Sequence, residues 1–280
     1  VVADRLPAPL ARFLAPVLAV HERARAVAVD QLAAGIAYFG FLALIPVLLL
    51  ATAVAGFLLD DVDAQRAVTS AITAALPGLE TAVEPGGALD ELLTTLVRRR
   101  GQLGLIGALS LLWVALRLAA SLMAGVELAF RTGRTKGVGA RLRQLAALAS
   151  LGAVAIVGFA ATGVTSGLLG GLLPLLPGPV LTVVTYAVGV VFDGLLFLVA
   201  YTVLSSHAWR VHVPGALMGA AGWTALKVFG ATFVGIRLQS AGAVYGTLAG
   251  VATVLVLLYL MARLFLTGAV LSAVVEEERT

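Results

Sequence analysis

Along the chain, apolar residues gather into six long runs separated by polar stretches, at roughly 33–59, 103–126, 143–166, 180–204, 214–236 and 245–274. A helix needs about 20 apolar residues to cross a hydrocarbon core about 30 Å thick, and each run reaches that length. Backbone in lipid must satisfy its own hydrogen bonds, so each run is expected to be a helix. The run at 214–236 opens with Pro214, a residue suited to the first helical turn. The expected fold is therefore all-α: a polytopic membrane protein with six transmembrane helices in one bundle. The pattern divides the chain into an N-terminal segment 1–32, a membrane domain 33–274 and an acidic tail 275–280.

One connection is long. Between the first two runs, about 61–100, Leu89, Leu92, Leu93, Leu96 and Val97 fall at helical spacing, so part of this loop is expected to be an amphipathic helix. The stretch "PGLETAVEPGG" at 77–87 breaks it in two. The start of the chain lacks an apolar run long enough for a signal-peptide core, and is expected to lie at the membrane surface instead.

Composition agrees with the pattern. The chain is 60% hydrophobic and only 12% charged, with a mean hydropathy of +1.04, whereas a soluble domain carries about 25% charged residues. The absence of cysteine excludes disulfides and thiolate metal sites. Apart from Lys136 and Lys227, every basic residue is arginine, a skew that fits a GC-rich bacterial coding sequence.

The net charge of +4 is a topology signal, not a sign of nucleic-acid binding. Arg5, Arg12, Arg23 and Arg25 precede the first run, and Arg131, Arg134, Lys136, Arg141 and Arg143 lie between the second and third. Arg210 and Arg279 fall on the same side. They outnumber Arg66, Arg98, Arg99, Arg100 and Arg237 opposite, so the positive-inside rule puts both termini in the cytoplasm. The "RRR" at 98–100 runs against the rule, but shares its loop with Asp60, Asp61, Asp63, Glu80, Glu84, Asp90 and Glu91.

Few charges enter the spans. Asp193 and Lys227 are read near mid-depth, Arg117 and Arg263 somewhat toward the cytoplasm, and Glu127 at an inner end. A central charge costs about 2.5–3.5 kcal/mol on insertion scales, and an aspartate is too short to reach the interface. Asp193 is therefore expected to face the bundle interior, with Lys227 on the next span as its first-choice partner. Two readings follow: an ion pair that fixes helix register, or a polar pathway in which the surplus of Lys227, Arg117 and Arg263 receives an anionic group. Small residues allow helices to approach closely in lipid. Gly215 and Gly219, and likewise Gly242, Gly246 and Gly250, are spaced for that.

At those glycines the chain resembles a family. "VYGTLAGVATVLVLLYLMARLFLTGA" (244–269), with Tyr245, Gly246, Tyr259 and Gly268, is similar to the closing signature of the YihY/virulence factor BrkB family. "AAGIAYFGFLALIPVLLL" (33–50) resembles its first span through Tyr38 and Pro46, "LGLIGALSLLWVALRLAASL" (103–122) its second through Trp113, and "PGALMGAAGWTALKVF" (214–229) its fifth through Trp223 and Lys227. Thr224 and Val270 stand where members often carry glutamate, and "ELAFRTGR" (127–134) lacks the usual Asn and Trp. The resemblance implies a six-helix bacterial inner-membrane protein, with proposed roles that include movement of lipids or lipid precursors and resistance to host killing. It also brings an old ribonuclease label.

The residues give that label nothing. A metal-dependent nuclease needs converging carboxylates and histidines, and the only histidines are His21, His207 and His212, with no acid near the last two in sequence. No enzyme, cofactor or metal site is expected. "SSHAWRVHV" (205–213) reads as an interfacial belt. The expected function is a transporter-like protein that moves or binds an anionic or amphipathic substrate, such as a lipid or lipid precursor. The alternative is a non-transporting envelope scaffold that docks a periplasmic partner through loop 61–100. Expected partners are anionic membrane lipids, with a homo-oligomer or an envelope protein as the protein partner.

Overall fold

The computed structural model describes residues 8–58, 100–132, 178–205, 207–240 and 243–279, together with 137, 139, 141–142, 144–150 and 152. In order, the helices are α1 (Ala8–Ala26), α2 (Val29–Leu58), α3 (Arg100–Ala129), α4 (Gly178–Leu204), α5 (Val213–Ser240) and α6 (Ala243–Glu277). A short 3-10 turn, Trp209–His212, joins α4 to α5. Between α3 and α4, residues 144–150 are helical; the rest of the expected third run, from 153 onward, lies outside the described residues. So does the loop helix expected before Arg100. No strand occurs among the described residues.

Five expected runs are helices whose ends fall within a few residues of the apolar boundaries. Among the described residues, three segments are long and apolar enough to cross a membrane: Val29–Ala51, Gly104–Ala129 and Gly250–Glu277, with Gly189–Leu204 a shorter apolar stretch. Pro46 sits inside α2, where it removes one backbone donor; intramembrane helices tolerate this when neighbours re-satisfy the freed carbonyl.

Two reversals are set by residues in the left-handed backbone region. Ala28, at φ 57°, turns α1 into α2. Arg131, at φ 53°, ends α3: its N–H bonds the Leu128 carbonyl at 3.2 Å and the Thr132 N–H bonds Glu127 at 3.0 Å. That pairing is the Schellman arrangement that closes a helix C-terminus.

The chain forms two compact units. One comprises Val1–Ala33, Ala119–Leu226 and Met261–Thr280; the other comprises Ala34–Leu118 and Lys227–Leu260. The first unit has a core of Met123 and Val126 on α3, Phe197, Tyr201 and Leu204 on α4, Ala216 and Ala220 on α5, and Phe265, Leu266, Ala269 and Val270 on α6. Small residues let the backbones approach. A Cβ at Gly215 would strike the Gly268 carbonyl and Ser272, and one at Gly219 would lie 2.7 Å from the Phe197 ring. The close packing expected of Gly215 and Gly219 is therefore present, whereas among the described residues nothing lies within 4 Å of a Cβ at Gly250. In the second unit, Gly104 and Gly107 of α3 lie against Ala53 and Leu49 of α2, where an added Cβ would come within 2.9 Å of each side chain.

Candidate functional site

The polar chemistry of the first unit collects at one end of its helices. Arg23, in the last turn of α1, is buried and donates Nε and Nη2 to the Ala129 carbonyl at 3.3 and 3.0 Å. Ala129 is the last residue of α3, so its carbonyl lacks an intrahelical partner. Nη2 also meets Glu277 Oε1 at 2.7 Å, at the end of α6. A single guanidinium thus ties three helix ends together.

Beside it lies an aromatic cluster. Tyr201 of α4 is fully buried and donates its hydroxyl to the Phe265 carbonyl of α6 at 2.7 Å. Ser272 of α6 accepts the Gly215 N–H at 3.1 Å, satisfying a donor in the first turn of α5. His212 is buried at the start of α5, with Nε2 2.6 Å from Ser205 Oγ. His207 stacks on Phe130 at 4.5 Å, and His212 meets the same ring edge-on at 5.3 Å. Neither histidine Nδ1 has a hydrogen-bond partner among the described residues. Burial holds the His212 imidazole well below its usual range, at about 4, and the neighbouring His207 adds to that. The turn expected to be an interfacial belt does expose Trp209, with Arg210 5.5 Å from its ring centre, but its histidines point inward.

The third feature is an open cleft of about 360 Å³ where α1 turns into α2 and passes α6. Val17, Val20, Ala24, Ala28 and Val29 line its apolar part; His21, Arg25, Asp30, Gln31, Arg263 and Thr267 supply the polar part. Arg263 Nε contacts Asp30 Oδ1 at 2.9 Å, with both side chains more than half exposed.

The charges singled out in the sequence have different surroundings. Asp193 is half-buried on α4, beside Gly194, whose face lies against Ala220 of α5. Lys227 belongs to α5, seven residues or about two turns beyond Ala220, but its side chain lies outside the described residues, and the expected pair with it. Arg117 is exposed, its guanidinium 5.7 Å from the Trp113 ring one turn away. Arg263 has a contact that the sequence reading did not assign. Its partner is Asp30, which that reading left in the N-terminal segment, and this places Arg263 level with the first turn of α2.

The family model described as virulence factor BrkB matches residues 20–280. The chain belongs to the virulence factor BrkB family. No curated protein and no solved structure matches it. In this BrkB-family membrane protein the signature residues have separate surroundings. Gly268 is the point of closest approach, meeting the Tyr201 hydroxyl and the Gly215 backbone. Pro46 is buried, Tyr38 and Trp113 are largely exposed, and Trp223 and Tyr259 are half-buried. Tyr245 and Gly246 lie in the first turn of α6, with surroundings outside the described residues. Tyr201 and Ser272 escaped the sequence reading, which took Arg23 only as a topology charge and His212 only as part of an interfacial belt. The available signal was polar side chains beside glycines near helix ends.

Proposed function

We propose that this BrkB-family protein is a six-span protein of the bacterial inner membrane, with both termini cytoplasmic, that binds or moves an anionic or amphipathic molecule such as a lipid or lipid precursor. It is not an enzyme in this reading. The observation that carries it is Asp193: an ionisable residue far inside an apolar helix, and only half-buried. An intramembrane carboxylate is costly, and where it is not sealed in a core it marks a polar pathway. The orientation draws support from Arg23, which brings together the ends of α1, α3 and α6, the ends that the positive-inside rule assigns to the cytoplasm.

The test is reconstitution into liposomes that carry a fluorescent anionic lipid in one leaflet. The protein should speed its redistribution over protein-free liposomes, and Asp193→Asn should abolish the gain while leaving thermal stability close to wild type. No gain with wild-type protein over a panel of anionic amphiphiles would remove the reading. Orientation is checked separately, because the chain has no native cysteine. An impermeant thiol reagent should label Thr81→Cys from outside, and Thr135→Cys only after permeabilisation.

A further inference from the structure

We infer that the cleft between α1, the first turn of α2 and the middle of α6 is a binding site for the phosphate headgroup of one anionic lipid. This goes beyond the proposed transport reading: it rests on the chain lying in a membrane and holds whether or not any lipid is moved. The cleft combines two chemistries that a lipid presents together. Arg25 and Arg263 converge on it with His21, while Val20, Ala24 and Val29 form a wall suited to the glycerol backbone and first methylenes. Its volume of about 360 Å³ falls in the range of small-molecule sites, about 300–1,000 Å³.

Charge favours an anion. Among the described residues Asp30 is the only acid lining the cleft, against two arginines. Its Oδ1 meets Arg263 Nε at 2.9 Å, and among the described residues the Arg25 side chain has no hydrogen-bond or ion-pair partner. A guanidinium binds phosphate oxygens through two parallel N–H donors, so Arg25 and the outer edge of Arg263 can hold a phosphodiester without breaking the Asp30 contact. Depth favours a lipid over free phosphate. Asp30 opens a helix whose span begins at Val29, so the cleft lies at headgroup level, where basic pockets between helices collect anionic lipids. Ligand and Asp30 nonetheless compete for one guanidinium, and removing that carboxylate should tighten the site.

The experiment uses the full chain, purified in neutral detergent and titrated with dioctanoyl phosphatidylglycerol, dioctanoyl phosphatidylcholine or inorganic phosphate. Thermal unfolding and native mass spectrometry read binding. The expected result is one phosphatidylglycerol retained and a saturable rise in melting temperature, with neither effect from the other two ligands. R25Q/R263Q should weaken binding about tenfold or more, the scale of a lost charge-assisted hydrogen bond, and D30N should strengthen it. Among the described residues the Arg25 side chain makes no hydrogen bond or ion pair that holds the fold, so R25Q alone carries the test if the double variant fails to fold. Equal binding of phosphatidylcholine, an equal shift from inorganic phosphate, or unchanged affinity in R25Q would each overturn the assignment.

Discussion

Around Gly215 and Gly268, α5 and α6 meet backbone to backbone, and the polar atoms there are paired: Tyr201 to Phe265, Gly215 to Ser272, Arg23 to Ala129. Around Gly107, α3 meets α2 through the Leu49 side chain, while Leu105, Ile106, Leu109, Leu112 and Trp113 stay exposed on α3. The contrast follows from the solvent. Lipid is as apolar as leucine, so burying leucine against leucine gains little, and association relies on close packing and hydrogen bonds. The first region has both. The second has close packing at two glycines and, among the described residues, leaves many large apolar side chains of α3 exposed.

The largest expected effect comes from breaking the backbone contact. Gly215→Val would drive side-chain atoms into the Gly268 carbonyl and Ser272, and should cost about 3 kcal/mol or more, seen as little folded protein after purification. Arg23→Met comes next. It leaves the Ala129 carbonyl buried without its donor and should cost about 2–3 kcal/mol. Glu277→Gln should cost below about 1 kcal/mol, because Glu277 is 54% exposed and an exposed ion pair contributes little. If the two variants were equally damaging, the Glu277 bridge and not the helix-end cap would hold this region together.

Acid should loosen the same end. His212 stays neutral in the folded protein down to about pH 4, while in the unfolded chain it takes up a proton near pH 6.5. Stability is therefore full above pH 6.5 and declines as pH falls toward 4, by on the order of 2 kcal/mol. Melting temperature should fall over that window, and His212→Gln should flatten the part between pH 6.5 and 5, above most carboxylate titration. Tyr201→Phe should cost about 1 kcal/mol, one buried hydrogen bond. Gly250→Ala should change stability by less than about 1 kcal/mol, in either direction, since its Cβ meets nothing among the described residues. A large loss at Gly250 would mean that a partner packs on that face.

The helices were legible because span length is set by bilayer thickness: the apolar runs at 33–59 and 103–126 needed only a few residues at each end to become α2 and α3. The Gly215–Gly219 packing was legible for a similar reason, since four-residue spacing aligns small residues on one face. The pair Asp30–Arg263 was not. Counting along a single span places Arg263 within the membrane, and only the alignment of α6 with the start of α2 shows that it lies at that helix's first turn. Arg23 was read as one more positive charge for topology; that it caps α3 depends on where another helix ends, which no local pattern encodes.

Arg23 also imposes an order on assembly. Its acidic partner is separated from it by 254 residues, so at about 5–20 residues per second the ribosome needs roughly 13–50 s to deliver Glu277. Through that interval the arginine has at most the α3 carbonyl to bind. Arg23 thus leaves the ribosome well before its acidic partner is there to fasten it. A protease or insertion factor acting during synthesis would meet it open, while the same reagent added to mature protein would meet it closed.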